Sequence, residues 1–369
     1  MEGNFKKAQK EYRRIRDNFS SFHLQWHLTN QCNFRCRHCY QNDYKKETLS
    51  LAQAKTVFDD FLKIIEEKRS RAEKLGREAQ RKLSITGGEP LLYEHFDELM
   101  IYISERKKDF SLGLLTNGSL LNDAAIDKIF DKYRFDAVQV SLEGMEKNND
   151  AIRGRGNFVK AVTALAKIAK KGRRAFISFT LHRRNYSDIP EIIKLGMKLG
   201  APVGIKRLVT EGSGRELKEF FLSPQELAKI YRYLIDVNIR CREAGRSFFV
   251  NLGCEAGITA GLGYSENNWQ PSFCSAMTTG VLTPLPSGLV YSCRRLPIAV
   301  GDLKKESLFD IYKRIEKGPS LELKKMNRRC RECEFFDRCF GGARCVSYGY
   351  FGSCDLYSPD PQCLRLSSQ

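Results

Sequence analysis

The chain has 369 residues, of which 42% are hydrophobic and 29% charged, with 28 Gly and 11 Pro. That is enough for two or three domains with a buried core, and it excludes a disordered or collagen-like protein. No apolar run approaches the roughly 20 residues that cross a bilayer, and with a mean hydropathy of −0.43 a soluble protein with no membrane partner is expected. Lys and Arg number 62 against 44 Asp and Glu, a net charge of +18. Such a balance points either to an anionic partner or to many solvated basic helix faces.

The first twenty residues are charged throughout and lack an apolar stretch with a cleavage site, so export is not expected and the cytoplasm is the expected compartment. In that setting the 13 cysteines read as metal ligands or reactive groups rather than disulfides. Residues 1–21 read as a helical extension. Short apolar strands then alternate with amphipathic helices: strands at Leu24–Leu28, Leu83–Thr86, Leu112–Leu115, Ala137–Leu142, Ala175–Leu181 and Pro202–Leu208. Helices are expected at Leu51–Glu67, Phe96–Lys107, Asp123–Lys132, Phe158–Lys171, Ile189–Leu199 and Pro224–Cys241, with Ser70–Lys82 prolonging the first or adding another. Repeated β–α units of this kind make a parallel α/β sheet, here a partial (β/α)6 barrel over residues 22–245, whose functional loops gather at the carboxyl ends of the strands.

From residue 246 to 369 the texture changes to short strands, turns and cysteine clusters. Phe248–Leu252, Val281–Pro284 and Leu289–Ser292 read as strands, with Pro286-Ser287-Gly288 turning a hairpin, and Ser307–Met326 reads as one helix. No sizeable apolar core is legible between Cys330 and Cys363, so metal ligation is expected to supply much of the stability there.

Directly after the first strand, TNQCNFRCRHCYQ places Cys32, Cys36 and Cys39 in one loop. Three closely spaced thiolates can hold three irons of a 4Fe–4S cluster and leave the fourth iron open, whereas a structural zinc would call for a fourth protein ligand. Gly87-Gly88-Glu89-Pro90 follows the second strand, Thr116-Asn117-Gly118 the third and Ser141-Leu142-Glu143-Gly144 the fourth, with Arg153 in AIRGRGNF beyond. This combination resembles the radical S-adenosylmethionine (SAM) superfamily. The resemblance implies reductive cleavage of SAM to methionine and a 5′-deoxyadenosyl radical, which takes hydrogen from an unactivated C–H bond. It further implies that the backbone of Gly87, Gly88 and Pro90 and the Glu89 carboxylate meet the methionine amino group, and that Ser141 bonds the ribose. Asn117 belongs to the same cofactor-binding set, Arg153 is expected to pair with the methionine carboxylate, and His38 to lie against the adenine. No catalytic acid or base beyond the SAM-cleaving cluster is required at that step.

The later cysteines resemble the SPASM extension of these enzymes, which holds two auxiliary 4Fe–4S clusters, making three in all. Thirteen residues separate Cys274 from Gly288 and four more separate Gly288 from Cys293, while Cys330, Cys333 and Cys339 are followed by a terminal DLYSPDPQC. The resemblance assigns Cys274, Cys293 and Cys345 to an inner cluster and Cys330, Cys333, Cys339 and Cys363 to an outer one. It departs from the pattern in the five-residue gap between Cys339 and Cys345, where three is usual, and in having no cysteine between Cys274 and Cys293. The inner cluster therefore either has an open iron, able to bind a substrate thiolate, or is closed by Cys254 or Cys354. Cys241 reads as a buried apolar thiol.

The function implied is a radical maturase acting on a ribosomally made precursor peptide or a protein side chain, with thioether formation at cysteine its sharpest version, and an external flavodoxin- or ferredoxin-like electron donor. About 22 residues precede the barrel, so leader recognition is expected to use the barrel mouth, a separate leader-binding protein or the basic surface. The alternatives are an enzyme of heme-type cofactor biosynthesis, anaerobic sulfatase maturation, and a nucleic-acid-modifying or nucleic-acid-binding protein. The last is disfavoured because aromatics do not cluster with the basic runs.

Overall fold

A computed structural model of the chain describes residues 2–17, 20–262, 274–278, 280–317, 322–351 and 355–365. Helix α1 (Glu2–Asp17) leads into strand β1 (Phe22–His27), and the chain then alternates α2 (Leu51–Lys74), β2 (Arg81–Thr86), α3 (Phe96–Glu105), β3 (Ser111–Thr116), α4 (Asp123–Asp127) and β4 (Ala137–Ser141). Two helices, α5 (Glu146–Arg153) and α6 (Asn157–Lys170), precede β5 (Ala175–Leu181), followed by α7 (Ile189–Lys198), β6 (Val203–Arg207), α8 (Pro224–Glu243) and a two-residue β7 (Val250–Asn251). The strands from β1 to β7 pair in parallel and in sequence order. The result is a mixed α/β fold whose sheet curls into a partial barrel.

The expected six strands are all present, each within a residue or two of its anticipated bounds. Helix α2 continues through Ser70 because its start is fixed by a reciprocal cap, Ser50 Oγ accepting from Gln53 N while Gln53 Oε1 accepts from Ser50 N, and nothing breaks it before Lys74. The turn after α4 widens to a π-helical one at Lys128–Lys132.

Beyond α9 (Ala256–Gly261) come β8 (Val281–Pro284), β9 (Leu289–Cys293) and β10 (Leu296–Asp302), then α10 (Leu308–Lys317), α11 (Arg328–Arg331), α12 (Phe336–Cys339) and α13 (Arg344–Phe351). The three strands form an antiparallel meander whose β8 pairs in parallel with β1, so the barrel sheet continues through them as ten strands. Strand β10 is additional to the expected hairpin. The single helix anticipated over Ser307–Met326 is instead α10 and a separate 3₁₀ turn at Leu323–Lys325.

The apolar core expected to be missing from Cys330 onward exists. Phe336, Phe340 and Val346 are buried together with Ala8 and Tyr12 of α1, with Phe5 and Ile15 packed against them. Phe5 stacks on Phe336 at 6.2 Å, and the Tyr12 hydroxyl donates to the Met277 carbonyl at 2.7 Å. The apolar face of α1 supplies what the short cysteine-bearing segments lack. Among the described residues, no helix is long and apolar enough to cross a membrane.

Helices α2 and α10 meet around Lys68, which is fully buried with its Nζ 3.3 Å from Glu316, while Arg71 reaches the same carboxylate at 2.6 Å. Burial lowers the Lys68 pKa from 10.5 to about 8 against the pull of Glu316. Between those values the unfolded chain binds one proton more than the folded one, so this residue's contribution to stability rises with pH. Lys68→Met is therefore expected to stabilise the protein by up to ~3 kcal/mol below pH 8. That margin should shrink toward pH 10.5 in anaerobic denaturant titrations, and a difference independent of pH would contradict the assignment.

Candidate functional site

The loop after β1 carries Cys32, Cys36 and Cys39, all half-buried, and its neighbours tie it down from three sides. Gly88 N donates to Thr29 O at 2.7 Å and Glu89 N to Gln31 O at 2.8 Å, Arg37 N donates to Ile152 O at 2.9 Å, and Gly214 N to Cys39 O at 3.1 Å. The glycine pair after β2 is a packing requirement: a Cβ at Gly88 would lie 2.3 Å from the Gln31 carbonyl oxygen.

A cavity of about 320 Å³ opens over the strand ends. Cys32, Cys36 and Cys39 line it, as do Cys254, Cys274, Cys293 and Cys345 and polar strand side chains such as Gln139, Ser178 and Lys206. Gly87, Gly88, His38, Asn117, Ser141 and Arg153 also line this cavity, so six of the residues anticipated to hold SAM come together with the first cysteine trio.

Glu89 and Pro90 are not among its walls. The Glu89 carboxylate is fully buried and accepts from Thr116 Oγ1 at 2.8 Å, from Asn117 N at 2.9 Å and from Leu91 N at 3.4 Å. Burial raises its pKa to about 7. Its oxygens fasten the β2 loop to the β3 loop. Pro90 opens a buried 3₁₀ turn.

Glu143, quoted in the sequence motif but given no role there, is the hub of the site. It receives Arg153 Nη2 at 2.6 Å, lies 3.2 Å from His38 Nε2, and accepts from Thr180 N at 2.5 Å. Burial favours its neutral form, but Arg153 and His38 outweigh that and hold the carboxyl well below the usual range. Arg153 also points Nη1 at Cys36 Sγ, 3.7 Å away. The signal in the sequence was its place two residues beyond Ser141, on the same strand end.

Several of these thiols are too buried to ionise unaided. Burial pushes Cys36 and Cys345 up to about 11, Cys330 to about 11 and Cys339 to about 12, and raises Cys274 further. They become thiolates when a cationic group sits among them. Among the described residues no three His, Cys, Asp or Glu side chains converge as a single ion requires. Cys330, Cys333, Cys339 and Cys363 instead surround a separate hollow of about 30 Å³. Sets of thiols ringing a hollow suit a polynuclear iron–sulfur group.

A larger cavity of about 670 Å³ shares Tyr40, Gln41 and Arg294 with the first. Arg294 lies over the Tyr40 ring at 4.5 Å and donates from Nε to His27 Nδ1 at 3.2 Å. Burial, then the Arg294 charge, keep His27 neutral and able to accept. Sequence reading missed Arg294 and Tyr40, since nothing in a lone arginine or tyrosine marks a shared wall. Cys354 lies outside the described residues.

Residues 26–196 match the family model of the radical SAM superfamily. Mycofactocin maturase MftC of Mycolicibacterium smegmatis is 29% identical over 355 residues, covering 93% of this chain and 82% of that protein. Fe-coproporphyrin III synthase of Methanosarcina barkeri is 24% identical over 381 residues, covering 93% of this chain and 88% of that one. The solved structure of anSMEcpe with bound AdoMet and Cp18Cys peptide superposes with a TM-score of 0.70 at 17% identity, covering 94% of this chain and 95% of that chain. This last likeness shows the fold.

The tight approach at Gly88 gives a direct test. Gly88→Ala is expected to displace the cysteine loop, cost roughly 1–3 kcal/mol and lower the iron content by about one cluster's worth. Full iron content with unchanged stability would contradict the packing argument.

Proposed function

We propose that this chain, which belongs to the radical SAM superfamily, is a maturase modifying a ribosomally made peptide or a protein side chain. The observation that carries the reading is the single cavity lined both by the thiol trio of the β1 loop and by a second set of thiols. A substrate held there meets two redox groups. When bound at Cys32, Cys36 and Cys39, the cluster and SAM supply the 5′-deoxyadenosyl radical that takes hydrogen from a C–H bond.

The chain's own residues bind and orient. Gly87 and Gly88 present backbone to the methionine ammonium, with Asn117 and Ser141 beside the nucleoside and His38 near the adenine. Arg153 takes the methionine carboxylate, and Glu143 holds both Arg153 and His38 in place. Auxiliary 4Fe–4S clusters sit at the inner set, containing Cys274, Cys293 and Cys345, and at the outer set of Cys330, Cys333, Cys339 and Cys363, which makes three clusters in all.

The peptide reading draws on the maturase among the relatives, which shares more identity with this chain than the porphyrin enzyme does. The larger cavity beside the site gives an extended peptide room to enter. An external flavodoxin- or ferredoxin-like donor supplies the electron in the cytoplasm.

Anaerobic iron and sulfide analysis tests the cofactor set. About twelve irons per chain are expected for the wild type and about eight for Cys32→Ala/Cys36→Ala/Cys39→Ala, with SAM-dependent 5′-deoxyadenosine formation lost in the triple variant. Zinc with little iron, or iron unchanged by the triple substitution, would overturn the reading. Co-expression with short reading frames beside the gene tests the substrate class: a peptide mass change that needs the cysteine trio supports it.

A further inference from the structure

We infer that Cys254 is the fourth ligand of the inner cysteine set, so that the inner cluster is closed by four thiolates and offers no iron to a substrate thiolate. The inference rests on the reading that this set holds an auxiliary 4Fe–4S cluster, and it settles a choice that the spacing of the cysteines leaves open.

Cys254 lines the same cavity as Cys274, Cys293 and Cys345 and packs in the same apolar cluster as those three. It lies close enough to Cys274 and Cys345 for the charges to act on one another. The backbone directs it there. Just past β7, Gly253 adopts a left-handed φ of +61°, with its N–H donating to Asn251 Oδ1 at 2.8 Å, a turn that a residue with a Cβ makes only under strain. On the other side, the buried carboxylate of Glu255 pairs with Arg207 at 2.7 Å. Cys254 is thus gripped between two fixed neighbours.

The charge of the surroundings is a second, independent observation. Four thiolates around an iron–sulfur core make an anionic site, whose burial calls for nearby cations. Arg295 and Lys206 both line this cavity, and neither has a carboxylate within ion-pair distance among the described residues. Arg295 donates to the Arg207 carbonyl and is held between the barrel and the thiols. Two buried cations without carboxylate partners fit an anionic four-thiolate cluster. With every iron ligated by the protein, thioether chemistry that begins by binding substrate sulfur to this cluster is unavailable.

The test uses the full chain in the Cys32→Ala/Cys36→Ala/Cys39→Ala background, where only auxiliary clusters remain, with ¹³C-cyanide as a probe of open iron. The inference expects no ¹³C hyperfine coupling in that background. Adding Cys254→Ala should either produce coupling or lower iron from about eight to about four while the outer cluster's spectrum persists, and adding Cys354→Ala should do neither. Coupling with Cys254 in place, or an effect confined to Cys354→Ala, would overturn it. A background protein without iron would instead overturn the cluster reading itself. Because Cys254→Ala could unfold the region, retention of the outer cluster's spectrum serves as the control for fold.

Discussion

The buried guanidinium of Arg207 joins the parts of this molecule. Standing at the end of β6, it takes both oxygens of Asp360, at 2.9 and 2.7 Å, and lies 2.7 Å from Glu255. It thereby fastens to the barrel both the loop that carries Cys254 and the tail that carries Cys363. A planar fork that is always charged is the side chain suited to holding two carboxylates at once, and leaving any member alone in this interior would cost several kcal/mol. Lys206 and Arg295 adjoin it on either side. The same few residues thus set the position of the thiols and supply positive charge beside them.

That arrangement follows from the needs of the chemistry. Buried thiols resist ionisation, and carboxylates nearby would worsen the problem, so the acidic groups close to the site are each already engaged. Glu143 is held by Arg153 and His38, Glu89 by the backbone and hydroxyl of the β3 loop, and Asp360 by Arg207. The cavity lined by both thiol sets keeps a positive balance suited to anionic clusters, and its polar strand residues give a substrate something to bond.

Much of this was legible in the sequence. The alternation of short apolar strands and amphipathic helices gave the parallel sheet, because each inward strand face and each helix face must be buried, and the cysteine groups fell where strand-end loops gather. The failures have physical causes. The apolar contribution of Phe5, Ala8, Tyr12 and Ile15 is diluted among lysines and arginines in α1, and its partners Phe336, Phe340 and Val346 lie more than three hundred residues away. Cys254 stands outside the spaced clusters, and only the left-handed turn at Gly253 and the docking of β7 beside β6 bring it to the others.

The most direct measurement is an anomalous-difference map at the iron edge from anaerobically grown crystals. The account predicts three peaks: one against Cys32, Cys36 and Cys39, one across the same cavity within the set formed by Cys254, Cys274, Cys293 and Cys345, and one beyond it within Cys330, Cys333, Cys339 and Cys363. A map in which the two thiol sets of that cavity do not both carry iron, or in which the peaks appear at the zinc edge instead, would contradict it.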